Sequence, residues 1–309
     1  MRVFITGASG WIGSAVVPEL KTAGHEVVGI ARSDSSAAAL VGAGVHVHRG
    51  TLDDLDLLHR LASDSDGVIH LAFKHDLAFS GNFQGAADAD RRAVEVFGDA
   101  LANTNRPFVL ASGTLGLALG QVATERDGHD AFADAASNAG PETRRATAEL
   151  VLSFASRGIR SSIIRLAPTN HGNGDNGFMA ALVDIARQKG VAGYVGDGTN
   201  RWPAVHRLDS AVLFRLALEN APAGATLHSV AEEGIALRDI AEMIGRHLNV
   251  AATPIDSEDA NEHFSWLARW VGVDSPCSSL VTQELMAWKP EQVGLLEDLD
   301  QGHYFNEVK

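Results

Sequence analysis

Cysteine is almost absent from this chain of 309 residues, which contains only Cys277. A single thiol excludes an internal disulfide and a cysteine-rich metal site, and it fits a reducing compartment, so we expect a cytoplasmic protein. Long apolar runs are also lacking, since no window of 18 residues is apolar throughout. The first residues lead directly into a predicted strand. We therefore expect neither a membrane span nor a signal peptide.

Positive charge is scarce and is not clustered. The net charge is −14 at neutral pH, with five lysines against twenty arginines and no basic block. Such a surface repels nucleic acids and anionic membranes, so we expect neither as a partner. His46 and His48 alternate on a predicted strand but lack a third ligand, so no metal site is expected. Length and composition otherwise describe an ordinary globular protein with one large or two small domains.

The first fifteen residues contain the strongest motif. A short apolar run at 3–5 stops before Gly7, as expected of a buried parallel strand. Gly7 permits a tight turn, Gly10 lets the backbone approach a pyrophosphate, and Gly13 lets the following helix lie close to the strand. The N-terminus of that helix directs free N–H groups at the phosphates. The residues predicted to form this dinucleotide cradle are Gly7, Ser9, Gly10, Trp11, Ile12 and Gly13.

The second predicted strand, 26–30, ends just before Arg32 and Ser33. A cofactor with a free ribose 2′-hydroxyl is held by a carboxylate at this strand tip, whereas a 2′-phosphate requires a cation and a hydroxyl. Asp34 lies a little beyond the tip, and Arg32 can clamp a phosphate through two donors. The tip therefore favours NADP over NAD. The alternative is that Arg32 is a solvated loop residue.

The motif TGASGWIG at 6–13 resembles the extended branch of the short-chain dehydrogenase/reductase superfamily, the NAD-dependent epimerase/dehydratase-like proteins. The Gly-Asp-Gly at 196–198 and the His-x-x-Asp at 206–209 resemble the same branch. This resemblance covers nearly the whole chain. It implies an α/β fold with a Rossmann-type doubly wound parallel sheet. The dinucleotide-binding domain would span 1–170, with returns near 204–230, and a smaller substrate domain would span 171–309.

The resemblance also implies site residues. Ser112 falls where the superfamily carries a serine or threonine whose hydroxyl binds the substrate carbonyl. Leu52 would cover the adenine, Leu71 and Ala72 would lie beside the nicotinamide ribose, and Pro168 would line the nicotinamide. The stretch 119–140, rich in Ala, Gly and Asp, would form a loop on the substrate side.

The superfamily's Tyr-x-x-x-Lys pair is missing. In the superfamily the tyrosine donates a proton, while the lysine lowers the tyrosine pKa and holds the ribose. This chain has two tyrosines, Tyr194 and Tyr304, and neither precedes a lysine by four positions. Alignment of the following helix puts Pro141 in the tyrosine position and Arg145 in the lysine position. Arg145 could hold a ribose hydroxyl, but it cannot transfer a proton.

Three other side chains are candidate proton donors. Lys74 and His75 directly follow the predicted strand 67–73, at the edge where open α/β sheets bind ligands. His171 lies where the chain leaves the sheet, and a histidine with an ordinary pKa near 6.5 supplies protons at neutral pH. Each of the three could instead be a loop residue without a catalytic role. An ordered water is the fourth candidate.

These observations predict an atypical NADP-dependent oxidoreductase that reduces the carbonyl of a small organic substrate, as a monomer or homodimer. Two alternatives stay open. A non-catalytic NADP-binding sensor or scaffold is favoured by the missing pair, whereas the retained Ser112 argues against it. A nucleotide-sugar epimerase or dehydratase is the other alternative, against which Arg32 and the missing tyrosine weigh.

Overall fold

The computed structural model describes residues 1–129 and 141–306. The predicted loop over 119–140 therefore lies outside the described residues from position 130 onward. Within the described ranges the strands are β1 (Arg2–Thr6), β2 (Glu26–Ala31), β3 (His46–Arg49), β4 (Gly67–His70), β5 (Pro107–Gly113), β6 (Arg160–Leu166), β7 (Thr169–His171), β8 (Val191–Val195), β9 (Arg201–His206), β10 (Ala225–Ser229), β11 (Glu232–Ala236) and β12 (Ala251–Ile255).

The helices in the same ranges are α1 (Gly13–Thr22), α2 (Asp34–Gly42), α3 (Leu55–Ser63), α4 (His75–Phe79), α5 (Phe83–Leu101), α6 (Pro141–Ser153), α7 (Phe178–Lys189), α8 (Arg207–Asn220), α9 (Leu237–Leu248), α10 (Ala260–Phe264), α11 (Ala268–Val271), α12 (Leu280–Met286) and α13 (Leu295–Asp300). None of these described helices is both long and apolar enough to cross a membrane.

Seven strands form one sheet in the order β10-β6-β5-β4-β1-β2-β3, and every neighbouring pair is parallel. The strand order reverses between β1 and β4, and open α/β sheets bind ligands at the carboxyl ends of strands beside such a reversal. The predicted Rossmann-type, doubly wound parallel sheet is confirmed.

Both faces of this sheet are covered, which explains why its central strands are apolar throughout. Val3 and Ile5 of β1 pack into a cluster that includes residues of α1 and α8, whereas Phe4 packs into a second cluster with residues of α3 and α5. This alternation follows from the two-residue period of a strand. The ring centroids of Phe4 and Phe97 lie 6.0 Å apart on the second face.

The second half of the chain contributes to two layers. Its strand β10 pairs with β6 at the edge of the main sheet. The other strands form two small sheets, β11-β9-β7 and β12-β8. Buried residues of α7 and α9, among them Leu182 and Ile240, form a third apolar cluster together with Trp202 of β9. This smaller layer supplies one wall of the cavity described next.

Candidate functional site

A cavity of about 1180 Å³ lies at the carboxyl ends of the parallel strands. Residues that directly follow or end β1 to β6 line it, and Phe178 and Trp266 from the smaller layer form its far wall. Small-molecule sites commonly have volumes of roughly 300–1,000 Å³. The cavity therefore has room for a dinucleotide and a small second molecule.

The glycine turn forms one end of the cavity, and it has no space for side chains. A Cβ atom at Gly7 would lie 2.7 Å from the backbone nitrogen of Ala72, and Gly7 has a φ of +71°. A Cβ at Gly13 would lie 2.2 Å from the carbonyl oxygen of Gly7. The N–H of Gly10 donates to the same oxygen at 3.0 Å. This bare backbone at the start of α1 fits a pyrophosphate.

The end of the cavity that is predicted to hold the adenosine is formed by the tip of β2. Ser33 caps α2, and its hydroxyl accepts a hydrogen bond from the backbone N–H of Ser36. Arg32 lines the cavity and donates to Asp76 over 2.8 Å. That hydrogen bond is the main reason why the pKa of Asp76 lies below its ordinary value. The carboxylate of Asp34 is fully exposed and does not line the cavity, so Arg32 and the serines define the tip.

The other predicted cofactor residues line the middle of the cavity, with one exception. The cavity wall contains Ser9, Trp11, Ile12, Leu52, Leu71, Ala72 and Pro168. Ser112, at the end of β5, lines it too and is only 9% exposed. Arg145 is the exception, because it is not among the lining residues and instead donates to the carbonyl of Gly116 at 2.7 Å.

The structure separates the three predicted proton donors. Lys74 and His75 line the cavity, but Lys74 is paired with Asp53, with Nζ and Oδ2 2.5 Å apart. Burial, and next the charge of Arg144, hold the pKa of His75 below its ordinary value. His171 is fully buried and does not line the cavity. Its Nδ1 lies 2.9 Å from an oxygen of Asp298.

Comparison with known proteins identifies the family. The profile of the NAD dependent epimerase/dehydratase family matches residues 3–230. The chain belongs to this family. An uncharacterized protein of Schizosaccharomyces pombe is 45% identical over 307 residues, covering 99% of this chain and all of that protein. An uncharacterized protein of Saccharomyces cerevisiae is 44% identical over 308 residues with the same coverage.

Solved structures of the family share the fold of this chain. The UDP-glucose 4-epimerase of Thermotoga maritima, solved with UDP-glucose, has a TM-score of 0.77 and 18% identity, covering 99% of this chain and 98% of that one. The Thermus thermophilus UDP-glucose 4-epimerase, solved with NAD, has a TM-score of 0.71 and 19% identity, covering all of both chains. At such identities the likeness establishes the fold alone.

Arg144 is one of the cavity residues that the sequence does not readily indicate. Arg144, rather than Arg145, lines the cavity, and its guanidinium carbon lies 4.2 Å from the centre of the Phe73 ring. The helical spacing of the buried residues of α6 indicates that Arg144 faces inward. Thr147, Ala148 and Val151, which lie three, four and seven positions beyond Arg144, are buried in α6, so Arg144 shares their inward face.

A second missed residue, Asp175, also lies in the cavity wall. Its oxygens accept hydrogen bonds from the backbone N–H of Gly177 at 2.7 Å and from the hydroxyl of Tyr304 at 3.0 Å. Burial nevertheless raises the pKa of Asp175 above its ordinary value. No local signal predicts this pair, because 129 positions separate the two residues. Neither Tyr304 nor Tyr194 lines the cavity.

Proposed function

We propose that this member of the NAD dependent epimerase/dehydratase family is an NADP-dependent oxidoreductase that reduces the carbonyl of a small organic substrate. The proposal is carried by one continuous cavity that joins the glycine cradle, the cation at Arg32 and the hydroxyl of Ser112. The reduced nicotinamide would supply the hydride. The cavity volume supports simultaneous binding of cofactor and substrate.

Ser112 orients the substrate in this proposal. Its hydroxyl donates a hydrogen bond to the carbonyl oxygen and so favours negative charge on that oxygen as the hydride arrives at the carbon. Phe178 and Trp266, whose ring centroids lie 5.6 Å apart, offer an apolar surface to the apolar part of the substrate. Small carbonyl compounds are suited to such an environment.

Asp175 delivers the proton that completes the alcohol. A carboxyl group with a raised pKa keeps more of its protonated form near neutral pH than an ordinary aspartate does. His75 is the less suitable donor, since its lowered pKa leaves the imidazole neutral at that pH. Lys74 is engaged with Asp53. After each turnover, water in the cavity returns the proton to Asp175.

The preference for NADP is supported by the tip of β2, where Arg32, Ser33 and Ser36 line the cavity and Asp34 does not. Titration of the protein with NADP⁺ and NAD⁺ by calorimetry tests it. Wild type should bind NADP⁺ more tightly, and Arg32→Ala should remove most of the difference. Equal affinities in the wild type would contradict the assignment.

Turnover is tested with NADPH and a panel of ketones, aldehydes and imines, using wild type and Ser112→Ala. We expect NADPH oxidation with at least one of them and a lower rate in the variant. Binding of NADPH without any oxidation would favour the sensor or scaffold instead.

A nucleotide-sugar epimerase is the second candidate function. It is supported by the family and by the fold shared with UDP-glucose 4-epimerases. It would need a base able to withdraw a hydroxyl proton from the sugar, yet both tyrosines lie outside the cavity wall. Incubation with UDP-glucose decides between the candidates, because formation of UDP-galactose would establish the epimerase.

A further inference from the structure

Arg144 places a positive charge in the cavity wall beside Ser112. Its guanidinium packs on the face of Phe73, and one of its nitrogens donates to the carbonyl oxygen of Ala111 at 3.3 Å. Burial lowers the pKa of Arg144 below its ordinary value, with the charge of Asp90 acting in the opposite direction. Since an arginine stays protonated in proteins, the cost of this burial must be offset by a partner.

The acidic group whose charge acts on Arg144, that of Asp90, has another partner. Asp90 is buried, and one of its oxygens lies 3.2 Å from Nε2 of His70. Among the residues that the structure describes, Arg144 forms no ion pair. The charges of the cofactor also lie elsewhere in the proposed complex, because the glycine cradle takes the pyrophosphate and Arg32 takes the 2′-phosphate. With respect to the described residues, the guanidinium can therefore meet an anion from a second molecule.

We propose that Arg144 binds the carboxylate of the substrate and that the substrate is a short oxo acid. This inference rests on the proposed function and names its substrate class. The planar fork of a guanidinium matches a carboxylate through two parallel hydrogen bonds. Because Arg144 contacts Ala111, whose neighbour is Ser112, the carboxylate and the reacting carbonyl lie within a few bonds of each other.

Binding of oxamate, an unreactive oxo-acid analogue, tests the inference without any turnover. Calorimetry is performed with saturating NADP⁺, so that the cradle and the Arg32 site are already filled. We expect oxamate to bind to the wild type. Arg144→Lys should lower the affinity for oxamate, and Arg144→Met should lower it roughly 10- to 100-fold, the range for hydrogen bonds to a charged group. NADP⁺ affinity should be unchanged in both variants.

Arg157→Met is the matched control. Arg157 also lies over a phenyl ring, that of Phe154 at 5.1 Å, and it does not line the cavity. Its substitution removes the same charge and the same type of ring contact, so oxamate affinity should not change. Thermal melts of all variants without ligand verify folding, and Arg144→Met should melt no lower than wild type because it removes a buried charge.

Three outcomes would overturn the inference while leaving the proposed function intact. The first is that oxamate does not bind to the NADP⁺ complex, and the second is that inorganic phosphate binds in its place. The third is that Arg144→Met lowers the affinity for NADP⁺ but not the affinity for oxamate. The last result would assign Arg144 to the cofactor. Failure of the wild type to bind either NADP⁺ or NAD⁺ would instead contradict the proposed function itself.

Discussion

Arg32 and Asp76 form an ion pair in the cavity wall at the tip of β2, with Nη1 and Oδ2 2.8 Å apart. Arg32 follows β2, whereas Asp76 lies in the first turn of α4, so the pair joins the tip of β2 to the start of α4, and both residues line the cavity. Both side chains are more than half exposed. A 2′-phosphate bound at Arg32 would therefore have to compete with the carboxylate of Asp76.

Asp76→Asn should strengthen NADP⁺ binding by roughly 2- to 5-fold, the range for an exposed ion pair, and should affect NAD⁺ less. The substitution removes both the competitor for Arg32 and a charge that repels phosphate. The change in NADP⁺ affinity is measured by titration at low ionic strength, because salt screens the interaction. Asp34→Asn is the control, because Asp34 is paired with Arg49 and does not line the cavity. An equal increase in NADP⁺ affinity in Asp76→Asn and Asp34→Asn would contradict the prediction.

Gly13→Ala should abolish nucleotide binding and lower the free energy of unfolding by about 1–3 kcal/mol, as overpacking typically does. The new Cβ would lie 2.2 Å from one backbone oxygen and 2.7 Å from the backbone of Ala8, so α1 must move away from β1. Urea denaturation and NADP⁺ titration measure the two effects. Gly42→Ala is the control, because a Cβ at Gly42 meets nothing within 4 Å. It should leave the free energy of unfolding and the NADP⁺ affinity nearly unchanged. Comparable losses in the two variants would refute the steric explanation.

The sequence predicted the parts of the site that local patterns encode. The glycine cradle and the tip of β2 depend on short-range turn and capping geometry, so their positions follow from the residues themselves. Alignment to the Tyr-x-x-x-Lys helix selects Arg145, whereas the inward face shared with Ala148 indicates Arg144. The surroundings of His171, buried against Asp298, depend on tertiary packing of the last helices, which no local pattern contains.

Asp175→Asn should lower the rate of NADPH-dependent reduction by roughly 10²- to 10⁴-fold, the usual effect of losing a general acid. In the wild type the rate should fall as pH rises through the raised pKa of Asp175, because only the protonated carboxyl donates. Pre-steady-state measurements across pH test this.

Tyr304→Phe distinguishes this role from a structural one. The hydroxyl of Tyr304 donates to Asp175 and stabilises its carboxylate, so its removal should raise the pKa of Asp175 further and move the fall in rate to higher pH. An unmoved profile in Tyr304→Phe, or full activity in Asp175→Asn, would exclude Asp175 as the donor.

His228 should make the protein sensitive to mild acid. The ring is fully buried, with Nδ1 2.8 Å from the carbonyl of Ser278 and Nε2 3.4 Å from a nitrogen of Arg165. Burial lowers the pKa of His228 to about 4, so between pH 6.5 and 4 the unfolded chain takes up a proton that the folded chain does not. Stability should therefore fall over this window as pH decreases and should lose nothing further from this group below pH 4.

A depression of the pKa from 6.5 to about 4 corresponds to at most roughly 3 kcal/mol. His228→Gln keeps a polar side chain but cannot titrate. The loss of unfolding free energy between pH 6.5 and pH 4 should therefore be smaller in this variant than in the wild type, by up to roughly 3 kcal/mol. Urea denaturation of both proteins at steps from pH 7.5 to pH 4.5 gives the difference curve. The curve isolates His228 from the other histidines, and two parallel stability profiles would show that protonation of this ring does not control acid unfolding.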